Sequence, residues 1–217
     1  MEVKLFRVSN EHIKNQCYLI YEGNSGILVD PAWDYELIND FLQENEITLK
    51  GVLLTHYHHD HTNLAAAFAE KNVVPVYMSA IEIKEYGFTV QHLIAVQHLQ
   101  EFVVDDFRIT ALLTPGHTKG SMCYWIGGHC FTGDTIFIEG VGISSELNVG
   151  SLFNSVQFIK QYLPAHTLIW PGHSFGQTPG KELNFLLKNN IYFLLNKKEA
   201  FIEFRMRKNQ PDPFAFK

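Results

Sequence analysis

The chain has 217 residues, which suits one domain of ordinary size, and 46% of them are hydrophobic, enough for a sizeable core. Its 17 basic and 23 acidic residues give a formal net charge of −6, which argues against the basic surface of a nucleic-acid-binding protein. No apolar stretch reaches the ~20 residues that a membrane span needs, and the N-terminus does not resemble a signal peptide. We therefore expect a globular cytosolic protein with no nucleic-acid or membrane partner.

The first part of the chain changes from strand-like to helix-like patterns. Apolar or alternating runs between turn residues predict an antiparallel meander at residues 3–8, 15–21 and 26–30. Apolar residues then recur at helical spacing behind Asp34, a good N-cap residue. This predicts a helix that ends near Asn45 and leads to a strand over residues 51–55. A second helix, capped by Thr62, is expected shortly after that strand.

The strand over residues 51–55 ends in the sequence THYHHDH, which has the spacing H-x-H-x-D-H. Imidazole and carboxylate groups suit Zn(II), Fe(II) or Mn(II), and their position just past a strand end makes them converge. The alternative is an exposed histidine-rich loop with adventitious metal affinity. Against it, three further residues each follow an apolar run in a glycine-containing turn, namely His117, Asp134 and His173.

Seven residues of this pattern are enough to hold two metal ions. They are His56, His58, Asp60, His61, His117, Asp134 and His173. Three other histidines are predicted to lie outside the ligand set, namely His59, His129 and His166. The three cysteines stand inside apolar strand-like runs, so we expect buried free thiols at Cys17, Cys123 and Cys130.

The second half of the chain again has strands followed by a helix. Strand-like runs occur at residues 102–104, 107–115, 121–126 and 129–134, with a hairpin turn predicted at Gly127 and Gly128. A helix over residues 149–163 is predicted to end at Pro164, before a strand over residues 167–170. Residues 87–100 show no pattern that we can assign.

Two sheets packed face to face, with helices on both outer surfaces, account economically for this order of elements. The predicted fold is therefore of the mixed α/β (α+β) class, a four-layer αββα sandwich. We expect a single domain over residues 1–217, in which residues 181–208 form a C-terminal helical segment.

Four motifs, THYHHDH, TPGHTKGS, TGDTIF and PGHS, occur in this order between residues 55 and 173. Together they resemble the metallo-β-lactamase superfamily, and within it the glyoxalase II-like hydrolases. The resemblance implies the αββα fold and two Zn(II) ions per chain, although these donors also accept iron or manganese. It further implies that His56, His58 and His117 hold one metal and that Asp60, His61 and His173 hold the other. Asp134 would bridge the two.

Such ligands point to metal-assisted hydrolysis. Bound zinc makes hydroxide available near neutral pH, so the site needs no serine or cysteine nucleophile, and the sequence has no G-x-S-x-G elbow. Asp60, as a ligand and hydrogen-bond acceptor, would also orient the hydroxide and so count as catalytic. A thiolate with a pKa of about 8.5 leaves without a strong general acid. The absence of an obvious acid therefore favours a thioester over an amide or a β-lactam.

Three alternatives differ in reaction class or substrate. Glyoxalase II itself carries a C-terminal domain that binds glutathione, whereas only 44 residues follow His173 here. Hydrolysis of a small-molecule thioester, the type of reaction that glyoxalase II catalyses, is the first alternative. Iron-dependent persulfide dioxygenases usually have Cys-Gly-Arg after the bridging aspartate, where this chain has Val141-Gly142-Ile143, so persulfide oxidation is a second alternative. Nucleases of this fold usually need a large inserted domain and a basic surface, which this chain lacks.

The sequence as a whole most resembles the zinc-dependent hydrolases of bacterial trans-acyltransferase polyketide clusters of the bacillaene type. This resemblance implies hydrolysis of acyl thioesters on acyl carrier proteins, which are acidic. Residues 181–208 have seven basic and three acidic residues, whereas the remainder has 10 basic and 20 acidic residues. The docking residues would be Lys197, Lys198, Arg205, Arg207 and Lys208, several of which can share one exposed helical face. A solvated helix face without a partner is the alternative, and the oligomeric state is left open.

Overall fold

The computed structural model describes residues 1–210 of the chain. Its first sheet contains six strands in chain order: β1 (Glu2–Asn10), β2 (Ile13–Glu22), β3 (Ser25–Val29), β4 (Thr48–Leu53), β5 (Val76–Ser79) and β6 (Leu93–Val96). Its second sheet has the order β12-β11-β10-β9-β8-β7, with the strands β7 (Glu101–Val104), β8 (Phe107–Leu113), β9 (Met122–Ile126), β10 (His129–Gly133), β11 (Leu168–Pro171) and β12 (Lys181–Glu182).

Helices connect the strands wherever neighbouring strands run in parallel. In the first part they are α1 (Tyr35–Glu44), α2 (His59–Thr62), α3 (Ala65–Asn72) and α4 (Ala80–Tyr86). In the second part they are α5 (Val149–Tyr162), α6 (Leu183–Asn189), α7 (Ile191–Leu194) and α8 (Lys198–Arg205). The pairs β3–β4, β4–β5 and β10–β11 are parallel, whereas β1–β2, β2–β3 and β7 to β10 pair antiparallel, as hairpins do.

Three apolar layers hold the four structural layers together. Between the sheets, side chains such as Ile27, Leu53, Ile109 and Phe131 are fully buried. A second layer packs α1 and α3 on the outside of the first sheet, and a third packs α5 to α8 on the outside of the second sheet. The predicted αββα sandwich is therefore confirmed.

Several local predictions are also confirmed, and one is wrong. Gly127 and Gly128 have positive φ angles of 52° and 89°, which the two-residue hairpin turn requires. Thr62 does not cap the second helix: its hydroxyl donates to the carbonyl of His58 at 3.1 Å, because a helical turn already begins at His59. The unassigned segment 87–100 contains β6, which adds a parallel strand to the first sheet.

The three cysteines are buried and free, as expected. Within residues 1–210, no helix combines the length and the apolar character that crossing a bilayer demands. Residues 181–208 contain the short strand β12 and then α6, α7 and α8, so this segment is mainly helical. The single domain over residues 1–217 stays a prediction, and residues 211–217 lie outside the described part of the chain.

Candidate metal centre

All seven predicted ligands lie together at one end of the two sheets. The loop after β4 and the short helix α2 supply four of them, because this segment turns sharply over the strand ends. The loops after β8, β10 and β11 supply one each, namely His117, Asp134 and His173. The structure thus brings residues that are 117 positions apart in sequence, His56 and His173, into one cluster.

One group of donors consists of His56, His58 and His117, which we call the three-histidine site. Nε2 of His56 and Nε2 of His117 each lie 3.0 Å from Nδ1 of His58. Burial and the neighbouring imidazoles lower the pKa values of all three, to about 4 for His58. The three rings are therefore neutral at pH 7, which is the form that binds a metal.

The second group consists of Asp60, His61 and His173, which we call the carboxylate site. Oδ2 of Asp60 lies 3.5 Å from Nε2 of His61 and 3.4 Å from Nε2 of His173. Burial lowers the pKa of His173, but Asp134 and Asp60 outweigh burial and raise it to about 10. Burial raises the pKa of Asp60, yet His173, His61 and Asn15 hold it below its usual value. Neighbouring carboxylates therefore raise the pKa of His173 in this site, whereas burial and other imidazoles lower the histidine pKa values in the three-histidine site.

Asp134 lies between the two sites and reaches both. Its Oδ2 is 3.6 Å from Nε2 of His117 and 3.4 Å from Nε2 of His173, and its Oδ1 is 3.4 Å from Nε2 of His61. Oδ1 is buried and accepts no hydrogen bond within residues 1–210. A buried carboxylate oxygen without a donor is costly unless a cation faces it. The donor set therefore fits divalent metal ions, with Asp134 placed to touch more than one.

Four of the five histidines are also held at the ring nitrogen that faces away from the cluster. His117 Nδ1 lies 2.8 Å from the carbonyl of Ile143, and His173 Nδ1 lies 2.6 Å from that of Lys14. His61 Nδ1 lies 3.0 Å from Asp30 Oδ2, and His56 Nδ1 lies 3.0 Å from Thr55 Oγ1. Such partners fix the ring orientation and leave the other nitrogen free to bind a metal.

Asp30 was missed in the sequence, although it stands directly after the apolar run of β3. Its Oδ2 accepts hydrogen bonds from Thr55 Oγ1 at 2.6 Å and from His61 Nδ1, and its Oδ1 accepts from the backbone N–H of Thr55 at 2.8 Å. Because Thr55 in turn contacts His56, one buried carboxylate orients a histidine of each site. Asp30 also forms a group of metal-compatible donors with His56 and His61. It contacts Nδ1 of His61, however, whereas Nε2 of that ring faces Asp60 and Asp134, which favours an orienting role for Asp30.

Asn15 and Glu82 were missed as well. Asn15 Nδ2 donates to Asp60 Oδ2 at 3.0 Å, and Trp33 Nε1 donates to Asn15 Oδ1 at 2.7 Å. Asn15 lies inside β2, and nothing in the sequence marks it. Glu82 is fully buried in α4 and accepts a hydrogen bond from the backbone N–H of Tyr57, between two predicted ligands.

Position 172 requires glycine because its backbone lies very close to the metal-compatible donors. A Cβ at this position would lie 2.5 Å from Cε1 of His61 and 2.6 Å from Oδ1 of Asp134, closer than van der Waals contact permits. The glycine in the WPGH motif therefore lets β11 run close enough to the cluster to bring in His173.

The histidines predicted to be outside the ligand set lie elsewhere. The His59 ring packs edge-on against Trp33, with centroids 5.7 Å apart. His129 Nδ1 accepts a hydrogen bond from Trp170 Nε1 at 3.0 Å, and His166 is exposed. None of these three belongs to a cluster of metal-compatible donors in the described chain.

The predicted exposed basic face is only partly present. Arg205 is buried, with 7% of its surface exposed, and its Nε donates to the carbonyl of Gly142 at 2.9 Å. The guanidinium of Arg207 stacks over Phe204 at 3.9 Å. Lys197, Lys198 and Lys208 are exposed. The prediction was wrong for Arg205, because this side chain bonds a loop carbonyl beside the metal centre.

Comparisons with known proteins connect the chain to a protein family. Residues 14–173 match the model of the family described as the metallo-beta-lactamase superfamily. The chain is 44% identical to the "Probable polyketide biosynthesis zinc-dependent hydrolase BaeB" of Bacillus velezensis, over 100% of this chain and 98% of that protein. It is 36% identical to a hydroxyacylglutathione hydrolase of Halorhodospira halophila, over 70% of this chain and 58% of that protein.

A solved structure shows the same fold. The crystal structure of ETHE1 from Myxococcus xanthus superposes with a TM-score of 0.83 at 26% identity, covering 98% of this chain and 93% of that one. The family match, the named hydrolases among the relatives and the donor cluster identify a metal-dependent hydrolase. The chain belongs to the metallo-beta-lactamase superfamily.

Proposed function

We propose that this protein is a dinuclear zinc hydrolase that cleaves an acyl thioester carried by an acyl carrier protein in polyketide biosynthesis. The observation that carries the dinuclear centre is the position of Asp134, whose two oxygens face donors of both sites. The relative BaeB, named as a polyketide biosynthesis hydrolase and aligned over the whole chain, supports the biosynthetic role.

The metal ligands divide the work of binding and orientation. His56, His58 and His117 would hold one ion, Asp60, His61 and His173 the other, and Asp134 both. Bound zinc supplies a hydroxide nucleophile near neutral pH, because it lowers the pKa of water to about 7. Asn15 donates to Asp60 Oδ2 and so holds this carboxylate in place, where it would accept a hydrogen bond from the nucleophile and orient it.

A thioester is favoured by the protonation chemistry of the site. Both buried carboxylates beside the ligands, Asp30 and Glu82, already accept two or more hydrogen bonds each, so neither is placed as a proton donor to a leaving group. A thiol with a pKa of about 8.5 leaves as the thiolate and requires no such donor, whereas an amine does. The name of the Halorhodospira relative, a hydrolase of a glutathione thioester, is consistent with this choice.

We propose that the carrier protein docks on the exposed lysines of the C-terminal segment. Lys197, Lys198 and Lys208 are exposed, whereas Arg205 is committed to Gly142. Acidic carrier proteins would be attracted to such a patch, with a screening length of about 10 Å at 0.1 M salt. The buried free thiols of the three cysteines are consistent with a reducing cytosolic location.

The test compares two substrates with the same acyl group, one on an acyl carrier protein and one on N-acetylcysteamine. Replacing Lys197 and Lys198 by Glu, or raising the salt concentration, should lower kcat/KM several-fold for the carrier-bound substrate only. A matched control is Arg108→Glu, an exposed cation on β8 whose ion pair with Glu101 at 3.7 Å is also exposed.

Other results would point elsewhere. Equal loss on both substrates would indicate damage to the fold, and no loss on either would favour a small-molecule thioester. Hydrolysis of neither thioester, together with bound iron and oxygen uptake in the presence of a persulfide, would replace hydrolysis with persulfide oxidation. Metal analysis of protein purified without added metal distinguishes one ion from two.

A further inference from the structure

Helix α4 packs against the two loops that carry the three-histidine site. Glu82 projects from this helix and is fully buried, which is unusual for a glutamate and calls for compensating contacts. Within the described part of the chain, all of its hydrogen bonds go to those two loops. One loop, after β4, contains His56 and His58, and the other, after β8, contains His117.

The hydrogen bonds of Glu82 go to residues that lie close in sequence to the three histidines. Oε2 accepts from the backbone N–H of Tyr57 at 2.9 Å, and Tyr57 lies between two of the donors. Oε1 accepts from Thr118 Oγ1 at 2.6 Å and from the backbone N–H of Gly120 at 2.8 Å, just after the third donor. One carboxylate therefore fixes the spacing between the loops that the three-histidine site requires.

Two further contacts hold α4 close to these loops. A Cβ on Gly120 would lie 2.5 Å from the backbone nitrogen of Glu82, so only glycine permits this approach. The Tyr86 ring stacks on Tyr57 with centroids 3.8 Å apart, and its hydroxyl accepts from the backbone N–H of Lys119 at 3.2 Å. No hydrogen bond of Glu82 within residues 1–210 reaches a donor of the carboxylate site.

We infer that Glu82 is a positioning residue that sets the metal affinity of the three-histidine site separately from that of the carboxylate site. The inference rests on the proposed dinuclear centre and is independent of the thioester substrate. Glu82 acts through the backbone on either side of the ligands and touches none of the reacting atoms. Partners of this kind typically change metal affinity by about 10- to 100-fold when they are replaced.

The test is zinc binding to the full-length Glu82→Gln variant, measured by competition with a chelator, together with the absorption spectrum after cobalt substitution. Glutamine keeps the shape of the side chain but presents a donor to one of the three N–H or O–H groups. We expect the affinity for one of the two ions to fall by about 10- to 100-fold, with the other unchanged.

The matched control is Glu85→Gln, one turn further along α4. Glu85 reaches the His117 loop only through an exposed ion pair with the side chain of Lys119, at 2.6 Å, and no hydrogen bond within residues 1–210 joins it to the backbone of either histidine loop, so neither ion should be affected. If Glu82→Gln fails to fold, Thr118→Val removes one of the three donors and should weaken the same ion to a smaller extent.

The possible results separate this role from a structural one. If Glu82→Gln loses thermal stability but binds both ions as tightly as the native protein, or loses both equally, the positioning role is wrong. A native protein that binds only one zinc would contradict the dinuclear centre instead. In that case, an unchanged affinity for that single ion in Glu82→Gln would overturn the role of Glu82 as well.

Discussion

The three-histidine site and the carboxylate site use equal numbers of donors but differ in how strongly those donors hold protons. Burial among other imidazoles lowers the histidine pKa values in the first, whereas carboxylates raise those of His61 and His173 in the second. A metal that binds the first site meets neutral rings, and one that binds the second must displace a proton from His173. Neighbouring charge therefore decides how a histidine functions as a ligand, even within one cluster.

Asp134→Asn should have the largest effect, because the two carboxylate oxygens of Asp134 face donors of both sites. The amide removes a negative charge that offsets two cations while keeping the shape of the side chain. We expect hydrolysis to fall by several orders of magnitude and both metal affinities to fall together. Steady-state kinetics and zinc titration would measure this.

An exposed aspartate, replaced in Asp106→Asn, is the control for a change of charge alone. Retention of most activity by Asp134→Asn would mean that one ion suffices and would contradict the dinuclear centre.

Asp30→Asn should have the next largest effect and should also disturb both sites. Asp30 orients His61 directly and His56 through the hydroxyl of Thr55. We expect a loss of about 10- to 100-fold in affinity for each ion. Thr55→Val sharpens the comparison, since it removes the hydroxyl that links Asp30 to His56 but keeps the contact between Asp30 and His61, and it should weaken one ion. Equal effects of the two variants on both ions would show that the sites are not independently oriented.

The smallest predicted effect is on the stability of the metal-free protein as pH changes. Lowered histidine pKa values make the folded state bind fewer protons than the unfolded state, so the three-histidine site reduces stability as pH falls from about 6.5 towards 4. The raised pKa of His173 does the opposite: its stabilisation is complete below about 6.5 and is lost as pH rises through about 10.

Thermal unfolding of chelator-treated protein across this range would measure both trends. His58→Asn should flatten the acid side of the profile, and His173→Asn should flatten the alkaline side. If both variants changed the same side, the electrostatic contrast between the sites would be wrong.

The sequence predicted the seven clustered residues because each follows an apolar run, and the fold places strand ends at a common edge. Asp30 obeys the same rule and could have been found. Asn15 could not, because it lies within a strand and acts through a tertiary contact to Asp60. Glu82 lies on a short helix with charged neighbours, where a glutamate is usually exposed. The Thr62 cap failed because the turn after β4 becomes helical earlier, at His59.

Arg205 illustrates how a charged residue in a basic run can serve packing. Its sequence neighbours suggested an exposed face, but its guanidinium reaches across to Gly142, at the start of the segment whose next carbonyl binds His117. Helical spacing alone does not distinguish these two outcomes, since it reports neither the length of the side chain nor what lies opposite.

The bond from Arg205 to Gly142 also sets a lower limit on how short an active version of this protein can be made. A truncation before α8 would retain every predicted ligand, yet it would leave the buried Gly142 carbonyl without its donor, at a cost of about 1–3 kcal/mol. The peptide that follows is the one that orients His117. We therefore expect an active truncated version to extend at least through Arg205, 32 residues beyond the last predicted ligand, His173.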